Sequence, residues 1–232
     1  MGQLFLRLQA PFAAFRGMQA GVYRNTAPTI PPSAALGLLL NLAGIEMRDP
    51  RPGVTTLIRP DVPCLRLAIG ALSLEEPNVA VLYQQLHSYP VGSSGKEWKP
   101  RAQGCKYWIA PVRREVLVCL RVLVGAETED EALLGRIQRG LRGELDEPRY
   151  GLPFAGDNNF LFDRIDVLPA PEPAHWYTPV QPGEPPRRGA CRLTVGIDRT
   201  DNSRTTVALV APLREAVAEP PPEAWIATPR PA

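Results

Sequence analysis

The sequence predicts an α+β protein built on a βαββαβ core, and three observations support this. Segments with strand or helix periodicity follow one another in the order strand, helix, strand, strand, helix, strand. The 27 prolines cluster between these segments, where each removes a backbone N–H and marks a loop. About forty residues separate the second and third strands, far more than a hairpin turn needs. The order is that of a ferredoxin-like (RRM-like) fold, with a long β-hairpin, the thumb, inserted between strands 2 and 3.

The first three elements have clear patterns. Residues 3–10 carry leucine or alanine at every second position, which predicts a half-buried strand. Ser33 follows two prolines and is the expected N-cap of an apolar helix over residues 34–43, which Gly44 ends. Residues 63–74 are rich in β-forming residues and predict the second strand.

The thumb covers about residues 76–113, between the second strand and the third. Residues 79–86 and 107–118 are strand-like, so we expect them to form its two arms. The third strand is predicted over residues 115–125, which are rich in valine and leucine.

A second helix and a fourth strand complete the predicted core. Residues 128–131 read T-x-x-E, a capping box that opens a helix with Thr128 as its N-cap. Apolar residues recur at helical spacing up to Leu141, and Gly143 can end the helix. Residues 160–168 predict the fourth strand, in which Phe160, Phe162 and Arg164 would lie on one face and Leu161, Asp163 and Ile165 on the other.

Beyond this domain, residues 1–168, a small C-terminal β extension is expected over residues 169–232. Residues 191–199 and 204–212 flank the turn-forming sequence Thr-Asp-Asn-Ser and predict a hairpin. The tail from Pro220 onward is expected to be irregular or to become ordered on contact.

Every lysine of the chain lies in residues 92–108, at the predicted tip of the thumb. The net charge of +2 does not by itself indicate nucleic acid, so this local excess of basic residues carries the argument. Mobile cations suit a phosphate backbone, and neighbouring aromatic rings can stack on unpaired bases. The residues concerned are Lys96, Trp98, Lys99, Arg101, Lys106, Tyr107 and Trp108. The alternative is a solvated basic loop whose aromatic rings pack on their own stem.

Two further segments are candidates for binding. Arg16, Tyr23 and Arg24 precede Ser33 at a helix N-terminus, where free N–H groups and the helix dipole attract anions. Residues 151–160 are rich in turn formers and lead into the fourth strand. A proline-stiffened loop with an ordinary cap, and a turn that needs no ligand, are the respective alternatives.

Several classes of site and location are disfavoured. The four cysteines form no C-x-x-C pair and have no histidine nearby, so no metal or other cofactor is expected. The longest apolar stretch, residues 34–45, is too short to cross a bilayer, and the N-terminus lacks the features of a signal peptide. We expect a cytoplasmic protein that does not bind membranes.

Three stretches of the sequence resemble the fifth CRISPR-associated protein family (Cas-five) of the RAMP superfamily, over roughly residues 1–168. The most specific is APFAAFRGMQAGVYRNTAPTIPPSAALGLLLNLAGIE, in which a first strand leads through A-x-F-R to Pro-Pro-Ser and a glycine-containing helix. PFAGDNNF resembles the second signature of the family, although Ala155 stands where leucine is more usual. LHSYPVG and the basic segment after it are similar to the thumb of a type I-B-like branch.

The resemblance implies a non-catalytic subunit of a type I Cascade surveillance complex. Such a subunit caps the 5′ handle of the crRNA and contacts the backbone subunits and the large subunit. It supports recognition of target DNA near the protospacer-adjacent motif indirectly, in antiviral defence or RNA-guided transposition. Carried over by motif, the residues that would face RNA are Arg16, Tyr23, Arg24, Ser33, Asn158 and Asn159, with Lys96, Lys99, Arg101 and Lys106 in the thumb.

Two other functions stay open. Some branches of the family cut precursor crRNA without a metal, which requires a general base and a group that stabilises developing charge. His87, Tyr89 and Lys99 are the one plausible set for such an endoribonuclease. The other alternative is a ferredoxin-like protein-interaction module with no nucleic acid ligand.

Overall fold

The structure is a computed structural model that describes residues 1–17, 22–52, 56–90, 107–185 and 187–229. Within these residues the chain forms a mixed α/β fold with one large sheet and two α-helices. The elements are β1 (Gly2–Ala13), β2 (Tyr23–Arg24), α1 (Pro32–Leu42), β3 (Leu65–Ala71), β4 (Val79–Pro90), β5 (Tyr107–Thr128), α2 (Glu131–Arg142), β6 (Arg164–Leu168), β7 (His175–Pro179), β8 (Cys191–Gly196), β9 (Thr206–Pro212) and β10 (Ile226–Thr228).

Strand β5 is the centre of the sheet. The strand order is β6-β1-β5-β3-β7-β9-β8, and the pairings along this path are antiparallel. The C-terminal half of β5 lies between β1 and β3, whereas its N-terminal half pairs with β4 and, in parallel, with β2. One continuous strand therefore covers the two overlapping segments that the sequence predicted as an arm of the thumb and as the third core strand.

The predicted apolar face of β1 is buried, and part of its other face, which the half-buried prediction left open, is buried as well. Leu4, Leu6 and Leu8 are buried on the face that α1 and α2 cover. Phe5 lies on the other face, where it packs edge-on against Trp176 and Trp225, with ring centroids 6.4 and 6.2 Å away. The sheet is thus covered on both sides, which contributes most of the apolar burial.

The predicted helix caps are wrong at both N-termini. Helix α1 begins at Pro32 with Pro31 as its N-cap, and Ser33 lies inside the first turn without capping it. Proline at the first helical position has no N–H to satisfy, so a side-chain cap is not needed there. In α2 the cap is Asp130, whose carboxylate accepts from the Leu133 N–H at 3.0 Å, because β5 continues through Thr128. Gly143 ends α2 with a φ of 74°, as predicted.

The last core strand is shorter than predicted. Strand β6 covers only Arg164–Leu168, because the residues before it form a compact loop, here called the 154–161 loop. A bridge between Phe154 and Leu161 closes this loop, and the Phe160 N–H donates to the Asp157 carbonyl oxygen at 2.9 Å.

The C-terminal residues extend the same sheet. Strands β8 and β9 form the predicted hairpin, and β7, which was not predicted, connects it to β3. The tail packs on this sheet: β10 pairs with β3, and Trp225 packs on Phe5. No helix in the described part of the chain is long and apolar enough to cross a membrane.

Candidate nucleic-acid interface

A cavity of about 200 Å³ brings three arginines together where β1 ends. We call it the arginine cavity. Its lining comes from the segment after β1, from β2 and the residue after it, from β5 and from the 154–161 loop. The residues are Ala14, Arg16, Arg24, Asn25, Arg114, Glu115, Gly156 and Asp157.

Backbone pairing fixes the positions of the three arginines. Strand β2 runs parallel to β5 with Arg24 opposite Arg114, so these side chains are cross-strand neighbours. Arg16 forms an isolated bridge with Thr26, and the Ala27 N–H donates to the Phe15 carbonyl oxygen at 2.8 Å. The chain therefore returns on itself after β1 and places Arg16 beside Arg24.

The 154–161 loop closes one side of the cavity through a glycine. The Ala14 N–H donates to the Ala155 carbonyl oxygen at 3.0 Å, which holds the loop against the end of β1. Gly156 has a φ of 82°, and a Cβ at this position would lie 2.3 Å from the Ala14 carbonyl oxygen. Only glycine fits such a close approach in this conformation.

Of the three arginines, Arg114 alone has a carboxylate partner among the residues that the structure describes. Arg114 forms a 2.7 Å ion pair with Asp157, and the two side chains are 14 and 19 % exposed. Burial by itself would raise the pKa of Asp157, but the Asn159 N–H and the Arg114 guanidinium together hold that pKa below its ordinary value. Among the described residues, Arg16 and Arg24 form no salt bridge.

Positive charge is concentrated around Arg24. Burial lowers the pKa of Arg24, and the nearby charges of Arg16 and Arg114 lower it further. Arginine nevertheless stays protonated in proteins, so the three guanidiniums repel one another. An anion placed among them relieves this repulsion and accepts charge-assisted hydrogen bonds.

The second carboxylate of the cavity, that of Glu115, forms hydrogen bonds within the protein. Glu115 accepts from the Tyr23 hydroxyl at 2.9 Å and from the Thr26 N–H at 3.2 Å. The hydrogen bond to Glu115 raises the pKa of Tyr23. The side-chain oxygen of Asn25 is buried with no hydrogen-bond partner in the described structure. Glu115 thus positions the return of the chain after β1, and it forms no salt bridge with Arg16 or Arg24 in the part of the chain that the structure describes.

The predicted site residues divide into three groups. Arg16 and Arg24 meet in the arginine cavity, and Tyr23 lies beside them with half of its surface exposed. Ser33 is half-buried in the first turn of α1 and does not line the cavity. Asn158 and Asn159 are exposed turn residues, whereas Gly156 and Asp157 of the same motif line the cavity.

The predicted residues of the thumb are only partly described. Lys96, Trp98, Lys99, Arg101 and Lys106 lie outside the described residues. His87 and Tyr89 are described by their backbone in β4, and Tyr107 and Trp108 by theirs in β5. The register of the β4–β5 pairing shifts between His87 and Pro90. His175, the other histidine, donates its Nδ1–H to the Leu213 carbonyl oxygen at 3.0 Å.

Of the charged residues that line the cavity, the sequence predicted Arg16 and Arg24 as binding residues and missed Arg114, Glu115 and Asp157. Arg114 lies in a predicted arm of the thumb, residues 107–118, and Asp157 lies in the PFAGDNNF stretch. Their ion pair joins segments far apart in the sequence, which no local pattern reveals. No group of three or more histidine, cysteine, aspartate or glutamate side chains in the described residues is placed to hold a metal ion.

A protein-family model described as CRISPR-associated protein (Cas_Cas5) matches residues 3–142, more than half of the chain. The chain belongs to this family. The match contains the three arginines of the cavity, and the 154–161 loop lies beyond it. Family membership confirms the resemblance read from the sequence, while the type I-B-like branch stays a prediction. No curated protein matches the sequence of this Cas5-family chain.

Two solved structures have the same overall fold. A chain described as "CRISPR RNA-guided surveillance complex" superposes with a TM-score of 0.56 and 16 % identity, covering 93 % of this chain and 91 % of that one. A chain described as "Crystal structure of Cas protein" has a TM-score of 0.52 and 17 % identity, with coverage of 94 and 95 %. At these identities the likeness concerns the fold.

Proposed function

We propose that this Cas5-family chain is a non-catalytic subunit of an RNA-guided CRISPR surveillance complex and that it binds the 5′ handle of the crRNA. The arginine cavity carries the proposal, because Arg16 and Arg24 converge there without a carboxylate partner in the described residues. Such a cluster suits the phosphates of a bent single strand. One of the similar solved structures is itself described as an RNA-guided surveillance complex.

The sheet topology supports a ferredoxin-like core for this function. The four strands predicted from the sequence correspond to β1, β3, β5 and β6, and they lie in the order β6-β1-β5-β3 with antiparallel pairing. Helices α1 and α2 follow β1 and β5 and pack against each other, as the split βαβ arrangement requires. Residues 72–113 fill the predicted place of the thumb, between β3 and the core half of β5.

The partners that we propose are the backbone subunits and the large subunit, with target DNA near the protospacer-adjacent motif contacted indirectly. Strand β4 supports a protein partner for the thumb. Val79, Val81 and Tyr83 lie on one face of β4 and are 48, 53 and 70 % exposed. An exposed apolar row of this kind is typical of an interaction surface. We place the assembly in the cytoplasm.

Co-expression with the backbone and large subunits tests RNA binding. We expect a discrete crRNA to co-purify with the assembly. An assembly that forms equally well without RNA would contradict the proposal.

The arginine cavity is tested by the salt dependence of RNA binding to the purified chain. For Arg24→Ala, we expect weaker binding and a smaller slope of log affinity against log salt, by about 0.7 for each lost phosphate contact. Arg192→Ala, an exposed arginine on β8, is the matched control and should leave the slope unchanged. Equal effects of the two substitutions would show that the cavity is not the phosphate site.

The absence of catalysis is tested with labelled repeat RNA and a chelator. We expect the purified chain to leave the RNA intact. Cleavage at one position that His87→Ala abolishes would favour the endoribonuclease instead, since His87 is the general base of that alternative.

A further inference from the structure

A second cavity lies next to the arginine cavity and has a different chemistry. It is an open depression of about 340 Å³, and we call it the aromatic cavity. Its lining comes from the end of β1 and from the residues that lead into β6: Pro11, Phe12, Asn159, Phe160, Leu161, Phe162 and Asp163. A cavity of about 300 Å³ or more is large enough to hold a small organic group.

The wall of the aromatic cavity is the exposed ring of Phe12, which packs on one side against Phe160. Phe12 is 44 % exposed, and its ring centroid lies 6.2 Å from that of Phe160 at an angle of 46°. The two rings are tilted, so a flat ligand stacks on the free face of Phe12 rather than between them. Phe160 also packs against the main core, which fixes the position of Phe12.

One side chain connects the two cavities. The Arg114 guanidinium lines the arginine cavity and lies 5.7 Å from the centroid of the Phe160 ring, which lines the aromatic cavity. The 154–161 loop also contributes residues to both cavities, Asp157 to one and Asn159 to the other. A phosphate-binding surface therefore adjoins an apolar surface without an intervening element.

The rim of the aromatic cavity has polar groups. Asp163 is exposed and forms no salt bridge among the described residues, so its carboxylate can accept a hydrogen bond. Asn159 supplies a side-chain amide, which both donates and accepts. Proteins recognise an unpaired nucleobase by stacking it on an aromatic ring and by hydrogen bonds to its edge, which an acceptor and an amide can form. The aromatic cavity offers these groups beside the proposed phosphate site.

We infer that the aromatic cavity binds one unpaired base of the RNA, stacked on Phe12, while the adjoining arginine cavity binds the phosphate backbone. The inference rests on the proposed function, because it requires RNA at the arginine cavity. It adds that this chain contacts a base as well as the backbone.

The test compares two labelled octamers on the full-length chain, oligocytidylate and the same ribose-phosphate octamer without bases. Cytosine carries an amino group that Asp163 can accept from. We expect wild type to bind oligocytidylate about 5- to 150-fold more tightly than the abasic octamer, the range that stacking of one base supplies. Phe12→Leu should reduce this ratio towards one and leave binding of the abasic octamer unchanged.

Two controls separate stacking from general damage. Phe154→Leu changes a ring of similar exposure that lines neither cavity, so the ratio should stay at its wild-type value. Arg24→Ala should weaken binding of both octamers by the same factor, because both carry phosphates. Phe12 is exposed, so Phe12→Leu should fold, and its melting temperature checks this.

The other outcomes distinguish the two proposals. If wild type binds both octamers and Phe12→Leu leaves the ratio unchanged, the aromatic cavity does not hold a base and suits an apolar side chain of a protein neighbour instead. RNA binding would then stand without the base site. If wild type binds neither octamer, both the proposed function and the base site are overturned.

Discussion

At the scale of single residues, Gly156 joins two parts of the arginine cavity. Its positive φ aims the 154–161 loop back at β1, and the missing Cβ lets the Ala14 carbonyl approach. Two separate constraints therefore act on one residue, one on its backbone conformation and one on the space around it.

Gly156→Ala should destabilise the protein by about 2 kcal/mol or more, because the new Cβ would meet the Ala14 carbonyl oxygen at 2.3 Å in a conformation that alanine rarely adopts. Urea denaturation measures the loss. Gly183→Ala is the matched control, since Gly183 has a φ of 86° with no atom within 4 Å of a new Cβ. It should cost only about 1 kcal/mol. Equal losses would show that the contact with β1 contributes nothing.

The ion pair of Arg114 with Asp157 makes stability depend on pH. The pKa of Asp157 is lowered in the folded protein, so the carboxylate stabilises the fold above its ordinary pKa of 3.8, and this contribution is lost as the pH falls through the lowered value. The free energy of unfolding of wild type should exceed that of Asp157→Asn by about 1–2 kcal/mol at pH 6, and this difference should vanish towards pH 2.

Denaturation of both proteins across this pH range provides the measurement. Asp146→Asn changes an exposed carboxylate with no ion pair in the described structure and should show no such trend. A constant difference between wild type and Asp157→Asn would contradict the assigned role of the ion pair.

At the scale of elements, the two helices are in close contact at a glycine of α2, Gly140. A Cβ on Gly140 of α2 would lie 1.7 Å from the Leu42 carbonyl oxygen at the end of α1. No larger residue fits between the helices without separating them. The contact fixes how α1 and α2 together cover the sheet.

Gly140→Ala should therefore destabilise the fold by about 2 kcal/mol or more, since the helices must move apart. Gly135→Ala, on the exposed side of the same helix with no atom within 4 Å, should stabilise it by about 0.5–1 kcal/mol because alanine favours helix. Thermal melting of the two variants gives the comparison. Changes of the same sign would contradict the close packing of α1 on α2.

The elements show which parts of the fold can be predicted from sequence. Alternating leucines predicted β1, and the spacing of apolar residues predicted α2, because both patterns depend on one buried face. The predicted cap of α2 was wrong because long-range pairing with β1 extends β5 through Thr128, so the helix begins two residues later, after Asp130. The prediction of Ser33 as the N-cap of α1 was wrong because the helix already begins at Pro32.

At the scale of the whole molecule, residues from the C-terminus complete the centre of the sheet. Strand β10 has three residues and pairs with β3, and Trp225 beside it covers Phe5 of β1. No local pattern in so short a strand reveals such a pairing, which explains why the tail was expected to be irregular. Arg114 and Asp157 escaped prediction as cavity residues for the same reason, since they meet only in the folded chain, whereas Arg16 and Arg24 were predicted as binding residues.

Trp225→Ala should destabilise the whole protein by about 2–3 kcal/mol, near the lower end for removal of a large aromatic side chain, because Trp225 is only half-buried. Urea denaturation followed by circular dichroism reports the change. Glu223→Ala, an exposed residue of the same segment, should be neutral. Unchanged stability in Trp225→Ala would mean that the tail adds nothing to the sheet.

Strand β5 runs without interruption from its pairing with β4 to the arginine cavity. From His87 paired with Ile109 to Val79 paired with Leu117 the β4–β5 register is constant, and Arg114 lies within this span. No loop separates the β4–β5 ribbon from the arginine cavity, because β5 itself carries Arg114 into the lining of the cavity. If the chain binds RNA as proposed, a neighbouring subunit that moves the β4–β5 ribbon would also move Arg114.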